Sequence, residues 1–174
     1  MSPQPPISDA VAFLLTARSY RIGAHAILTN KDVRAEQETD RRFVLPTVML
    51  IAHAIEVYLK AWLSNTGVST DDLKRRFGHK LEPLFEEAKL RGLSDPPRQT
   101  PYTFKDLVES FEKQHSDYSF RYPTDGWTYG VPQMDLVFAL LGELDAQIGV
   151  AVLGTSEPTV LAPDNNMRLP ADQS

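Results

Sequence analysis

Apolar residues recur along this chain at intervals of three and four, and clusters of Pro, Gly and charge interrupt them. That rhythm marks amphipathic helices, whose faces return about every 3.6 residues. The first helix starts after an N-cap at Ser8 and runs to about Thr29, with Phe13, Ala17, Tyr20, Ala24 and Ile27 inward. A second begins near Pro46, where the missing N–H has no helical partner to lose, and runs to about Ser64. Its stripe is Leu45, Val48, Ala52, Ile55, Leu59 and Trp62; Val44, Met49, Ile51, Tyr58 and Leu63 extend apolar surface around most of the circumference. A helix apolar on all sides is central to a bundle. Ser69 and Asp72 fit a capping box for a short helix ending near Arg76, broken by Gly78. A third long helix is predicted from about His79 to Leu90, with Leu81, Leu84, Phe85 and Ala88 inward and Gly92 as its stop. Thr103 and Asp106 repeat the capping pattern ahead of Phe104, Leu107, Val108 and Phe111. The last helix runs from Pro132 to about Val152 on Met134, Val137, Phe138, Leu141, Leu144 and Ile148.

Residues 30–42 are polar and densely charged and read as an exposed connection. Pro96, Pro97 and Pro101 stiffen a loop over residues 94–101. Tyr118, Phe120, Tyr122, Trp127 and Tyr129 crowd an irregular stretch. It reads as an ordered loop packed by its rings, with a small hairpin turned at Asp125-Gly126 as the alternative. Residues 154–174 lack periodicity and read as a flexible tail. No segment reads as a strand. The expectation is an all-α protein: an up-and-down bundle of four to five main helices over residues 1–153, then a disordered tail over 154–174.

The 174 residues, 42% of them apolar, suit one domain with a sizeable core. With no Cys, disulfides, thiolate metal sites and cysteine nucleophiles are excluded. A net charge of -5 sets the overall field against nucleic acid and leaves only local basic patches for it. Residues 1–6 have no basic start and apolar core, so no signal peptide is expected. No unbroken apolar run nears the roughly 18 residues of a spanning helix. These features together predict a cytoplasmic domain without a membrane segment. Gly-rich phosphate loops, Ser-His-Asp sets and paired-carboxylate motifs are missing, so ordinary kinase and hydrolase chemistry has no foothold.

His53, Glu56 and Lys60 fall at i, i+3 and i+7 on the otherwise apolar second helix, and His79 opens the next segment. A cation beside a His stabilises charge developing on a phosphodiester while the His moves a proton. His53, Glu56 and His79 could instead hold a metal ion. The plainer account is a buried network in which Lys60, a His or Arg121 neutralises Glu56; it requires no metal and no cofactor. Arg18, Arg21 and His25 share a face of the first helix, either solvated or phosphate-binding. Lys74-Arg75-Arg76 could touch an RNA backbone, although cations also favour a helix C-terminus with no ligand. Trp127 is the aromatic to test as a platform for a base. Apolar excess on the second and last helices predicts a homodimer.

Three segments in order carry a family resemblance: His53-Ala54-Ile55-Glu56-Val57-Tyr58-Leu59-Lys60, then Gly78-His79-Lys80-Leu81-Glu82-Pro83-Leu84, then Arg121-Tyr122-Pro123. Together they resemble the HEPN superfamily (higher eukaryotes and prokaryotes nucleotide-binding) across roughly residues 8–150. The resemblance implies a cytoplasmic, frequently dimeric helical bundle acting on RNA or a nucleotide. It also implies a toxin–antitoxin or defence setting, with an antitoxin or nucleotidyltransferase-like partner. Ribonuclease members carry an Arg and a His four to six residues apart late in the domain. This chain has no such late pair; Arg18 and His25 have six residues between them but sit in the first helix. A binding or regulatory module is therefore the leading expectation. A metal-independent endoribonuclease with an atypical Arg/His set and a purely structural interaction protein are the alternatives.

Overall fold

The computed structural model describes residues 8–30, 44–95, 102–117 and 133–154. The Ser8 hydroxyl accepts from the Val11 N–H and starts α1, Asp9–Thr29. Helix α2, Val44–Asn65, carries Pro46 in its first turn. Ser69 caps α3, Thr70–Asp72, which continues directly as a π-helical turn, Leu73–Phe77. After it come α4, Leu81–Leu90, α5, Phe104–Ser116, and α6, Met134–Leu153. Both halves of the Thr103–Asp106 capping box are formed at α5. Among the described residues these helices are all the regular structure, with no strand. The protein is an all-α helical bundle.

Helix α2 is its axis. Helix α1 lies along it, α4 and α6 pack on other sides, and α5 rests on α4 while touching α2. Ile51, Ala54, Ile55, Tyr58 and Leu63 are all fully buried on α2, so apolar residues all round do mark the central helix. Ala52, Ala54 and Ala61 on α2, with Ala17 and Ala24 on α1, keep the core backbones close. The expected inward residues of α4 and α5 are buried as read.

Helix α1 departs from its expected face. Leu14, Ala17, Arg18 and Ala24 are buried, whereas Phe13 and Tyr20 only pack against the core edge. The helix contacts both α2 and α6, so its covered face is wider than a single stripe. Helix α4 begins at Leu81, two residues later than expected, because Gly78 turns the chain at φ 58° and Lys80 is extended.

Helices α2 and α6, of 22 and 20 residues, are long and apolar enough to cross a bilayer by length and composition. Neither is an unbroken apolar run, yet the mean hydropathy over each is 1.5 and 1.8 despite the charged residues within it, and a buried core helix of a bundle meets the same criterion. Helix α2 places more than half of that surface inside the bundle. Helix α6 leaves more of its own outside, with Val150 52% exposed. Apolar excess is thus available for association on α6, whereas that of α2 is largely used internally. The charged connection before α2, the aromatic stretch with Arg121 and Trp127, and the expected tail lie outside the described residues.

Candidate functional site

Glu56 sits among Ile55, Leu59 and Tyr58 on α2 and is only 3% exposed. A carboxylate there needs partners, and three elements supply them. Lys60, one turn along α2, donates from Nζ to Oε1 at 2.5 Å. His79, in the turn before α4, places Nδ1 3.2 Å from Oε1 and 3.1 Å from Oε2. His115, in the last turn of α5, places Nε2 2.6 Å from Oε2. Burial pushes the Glu56 carboxyl up. Hydrogen bonds from His115 and Lys60, the Lys60 charge and the His79 contact outweigh burial and hold it at about 2. An ionised carboxylate only accepts, so both imidazole nitrogens facing it carry protons.

The geometry has an identifiable scaffold. Lys80 provides no side-chain cap for α4. Glu112 of α5 does so instead, accepting from the Leu81 and Glu82 N–H groups at 2.6 and 2.9 Å. That clamp ties α5 to the start of α4, and His115 lies one turn beyond Glu112. Two histidines far apart in sequence thereby meet one carboxylate. The His79 side chain is 40% exposed, against 4% for Glu56 and 3% for His115, so His79 is the solvent-facing edge of the cluster.

His53 stands beside this cluster. Its Nδ1 donates to the Met49 carbonyl at 2.7 Å. Its ring meets His115 edge-on at 4.9 Å and tilts against Tyr20 at 5.6 Å. The sequence grouping of His53, Glu56 and His79 as metal ligands is therefore corrected: the donors that converge are Glu56, His79 and His115. His115 had one readable signal, since it continues the inward stripe of Phe104, Leu107, Val108 and Phe111 by one turn.

A second polar cluster lies where α1, α2 and α6 meet. Arg18 Nε donates to Asp145 Oδ1 at 2.7 Å, and the Tyr58 hydroxyl donates to the same oxygen at 3.1 Å. Arg21 Nη2 lies 3.6 Å from Asp145 Oδ2. Burial and the Asp145 charge push the Tyr58 hydroxyl well above its ordinary range. Among the described residues, two guanidinium groups face this one carboxylate. Among the described residues, Arg18 Nη1 and Nη2 and Arg21 Nε are buried without a hydrogen-bond partner. The solvated reading of this face is overturned at Arg18, which is 4% exposed. Arg21 is half-buried, and His25 is exposed and edge-on to Phe138 at 5.4 Å. Nothing in the spacing of α1 pointed to Asp145, which supplies this partner from 127 residues away.

Lys74, Arg75 and Arg76 are exposed on the π-helical turn. Arg75 pairs with Asp72 at 2.6 Å; Arg76 pairs with Glu87 at 3.1 Å and lies over the Phe77 ring. Local acids thus answer two of the three charges.

Comparison with protein-family models, curated proteins and solved structures finds no match to this chain.

Proposed function

We propose that this chain is a HEPN-like binding or regulatory module that takes a phosphate-bearing ligand, RNA or a nucleotide. The observation that carries the reading is the incompletely satisfied pair of buried Arg18 and half-buried Arg21, whose donors lack partners among the described residues. An unsatisfied buried donor costs about 1–3 kcal/mol, and more when charged. A phosphate oxygen would satisfy such donors, and a guanidinium matches phosphate geometry in a bidentate way. Arg18, Arg21 and His25 run from interior to surface along one face of α1. The resemblance adds a cytoplasmic homodimer with an antitoxin or nucleotidyltransferase-like partner.

The test is binding of labelled single-stranded RNA, ATP and GTP by the full chain, followed by anisotropy at two salt concentrations. Arg21→Ala should weaken binding about 10- to 100-fold, as loss of a charge-assisted hydrogen bond does. Lys74→Ala should leave it unchanged. No binding of any of the three probes, or equal binding by Arg21→Ala, refutes the proposal.

A second reading is favoured by one specific observation: Glu56 holds the half-exposed His79 in a fixed pose, as a general acid–base residue requires. RNA cleavage abolished by His79→Ala would move the conclusion to a metal-independent endoribonuclease.

A further inference from the structure

We infer that Glu56, His79 and His115 form a site for one divalent transition-metal ion of the zinc class. The inference is independent of the phosphate reading, which uses a different cluster. One ligand atom from each residue, on three separate elements, lies within 4.8 Å of the others.

The two oxygens of the carboxylate divide their partners. Lys60 occupies Oε1, and both imidazole nitrogens reach Oε2, at 2.6 Å for His115 and 3.1 Å for His79. Lys60 therefore orients the carboxylate without covering the oxygen that the histidines share. An ion bonded to Oε2 need not displace it. Tetrahedral zinc, with bonds of about 2.0–2.2 Å to N and O, sets its donors roughly 3.3 Å apart. Against that spacing the His79–Oε2 separation of 3.1 Å needs to open by about 0.2 Å and the His115–Oε2 separation of 2.6 Å by about 0.7 Å. His79 has room to yield, being half-exposed and following Gly78 at its positive φ.

Each imidazole now presents an N–H to Glu56. On metal binding that nitrogen offers its lone pair instead, and its proton moves to the other ring nitrogen or leaves to solvent. No redox step and no co-reactant are involved. Two imidazoles with one carboxylate suit zinc and its first-row neighbours; magnesium and calcium prefer all-oxygen sets. His53 packs its ring edge-on against His115, and Lys60 holds the carboxylate, so the two buried ligands have orienting neighbours. Three protein ligands with solvent at His79 make an open site, with a fourth position for water or a small anion.

The experiment uses the full chain, freed of any histidine tag and stripped of metal by a chelator. Zinc chloride is titrated calorimetrically, and cobalt(II) replaces it as a visible-absorption probe. The expected result is one ion per chain, a raised melting temperature and the intense absorption of tetrahedral cobalt. His79→Ala should bind at least about tenfold more weakly, the loss that even an outer-shell ligand change produces. It should melt like the native protein without metal, because the side chain is half-exposed. Glu56→Gln should also lose binding, while the exposed His25→Ala should bind as the native chain does. No zinc binding, undiminished binding by His79→Ala, or loss on His25→Ala overturns the inference.

Discussion

Replacing Glu56 with Ala isolates what holds the middle of the bundle. The substitution strands the Lys60 ammonium, whose side chain is 11% exposed, and removes the partner of His115 at 3%. Breaking a buried pair by deleting one member costs about 3–5 kcal/mol. The displacement of the Glu56 carboxyl from 4.5 to about 2 gives roughly 3 kcal/mol, the lower end of that range. For a chain of this size each kcal/mol lowers the melting temperature by roughly 2–4 °C, so the expected fall is roughly 6–20 °C. Glu86→Ala, on the exposed face of α4, should stay within about 0.5 kcal/mol of the native protein. The assay is thermal unfolding of both variants by circular dichroism at neutral pH, in metal-free buffer. A second arm adds Lys60→Met to Glu56→Ala. If the loss comes from an uncompensated ammonium, the double variant recovers part of it. Equal melting of Glu56→Ala and Glu86→Ala would refute the buried-network reasoning; additive losses in the double variant would show that Lys60 is not the stranded charge.

Two further outcomes follow from the same structure. Glu56 binds its proton near 4.5 when unfolded and only near about 2 when folded, so its contribution is complete above 4.5 and is lost as pH falls through about 2. Denaturant unfolding across that window should show the native chain losing stability more steeply than Glu56→Gln, and parallel profiles would contradict the assignment. Light scattering across a dilution series should return twice 19.5 kDa, reduced to a single chain by Val150→Asp on the outer face of α6. A single-chain mass at high concentration would refute the homodimer.

Local rules made most helices legible. Ser8, Ser69 and Thr103 cap where their side chains say they should, because an N-cap needs only a hydroxyl three residues from an orphan N–H. The inward faces of α4 and α5 were readable because short amphipathic helices bury one side. Glu56 with Lys60 was readable too, since i and i+4 are neighbours on any helix. Helix α1 is less legible: its small residues allow several faces to turn inward, and the neighbours decide which one does.

By itself, then, the chain determined helix positions, the central place of α2 and the Glu56–Lys60 pair, all set by contacts within a turn or two. Only the tertiary structure decided which distant groups complete each cluster. Asp145 reaches Arg18 across the bundle, and the Glu112 clamp on α4 brings His115 to the carboxylate that His79 also reaches. Those contacts span dozens of residues. No periodicity encodes them, because helical spacing says which side a residue faces but not which partner waits there.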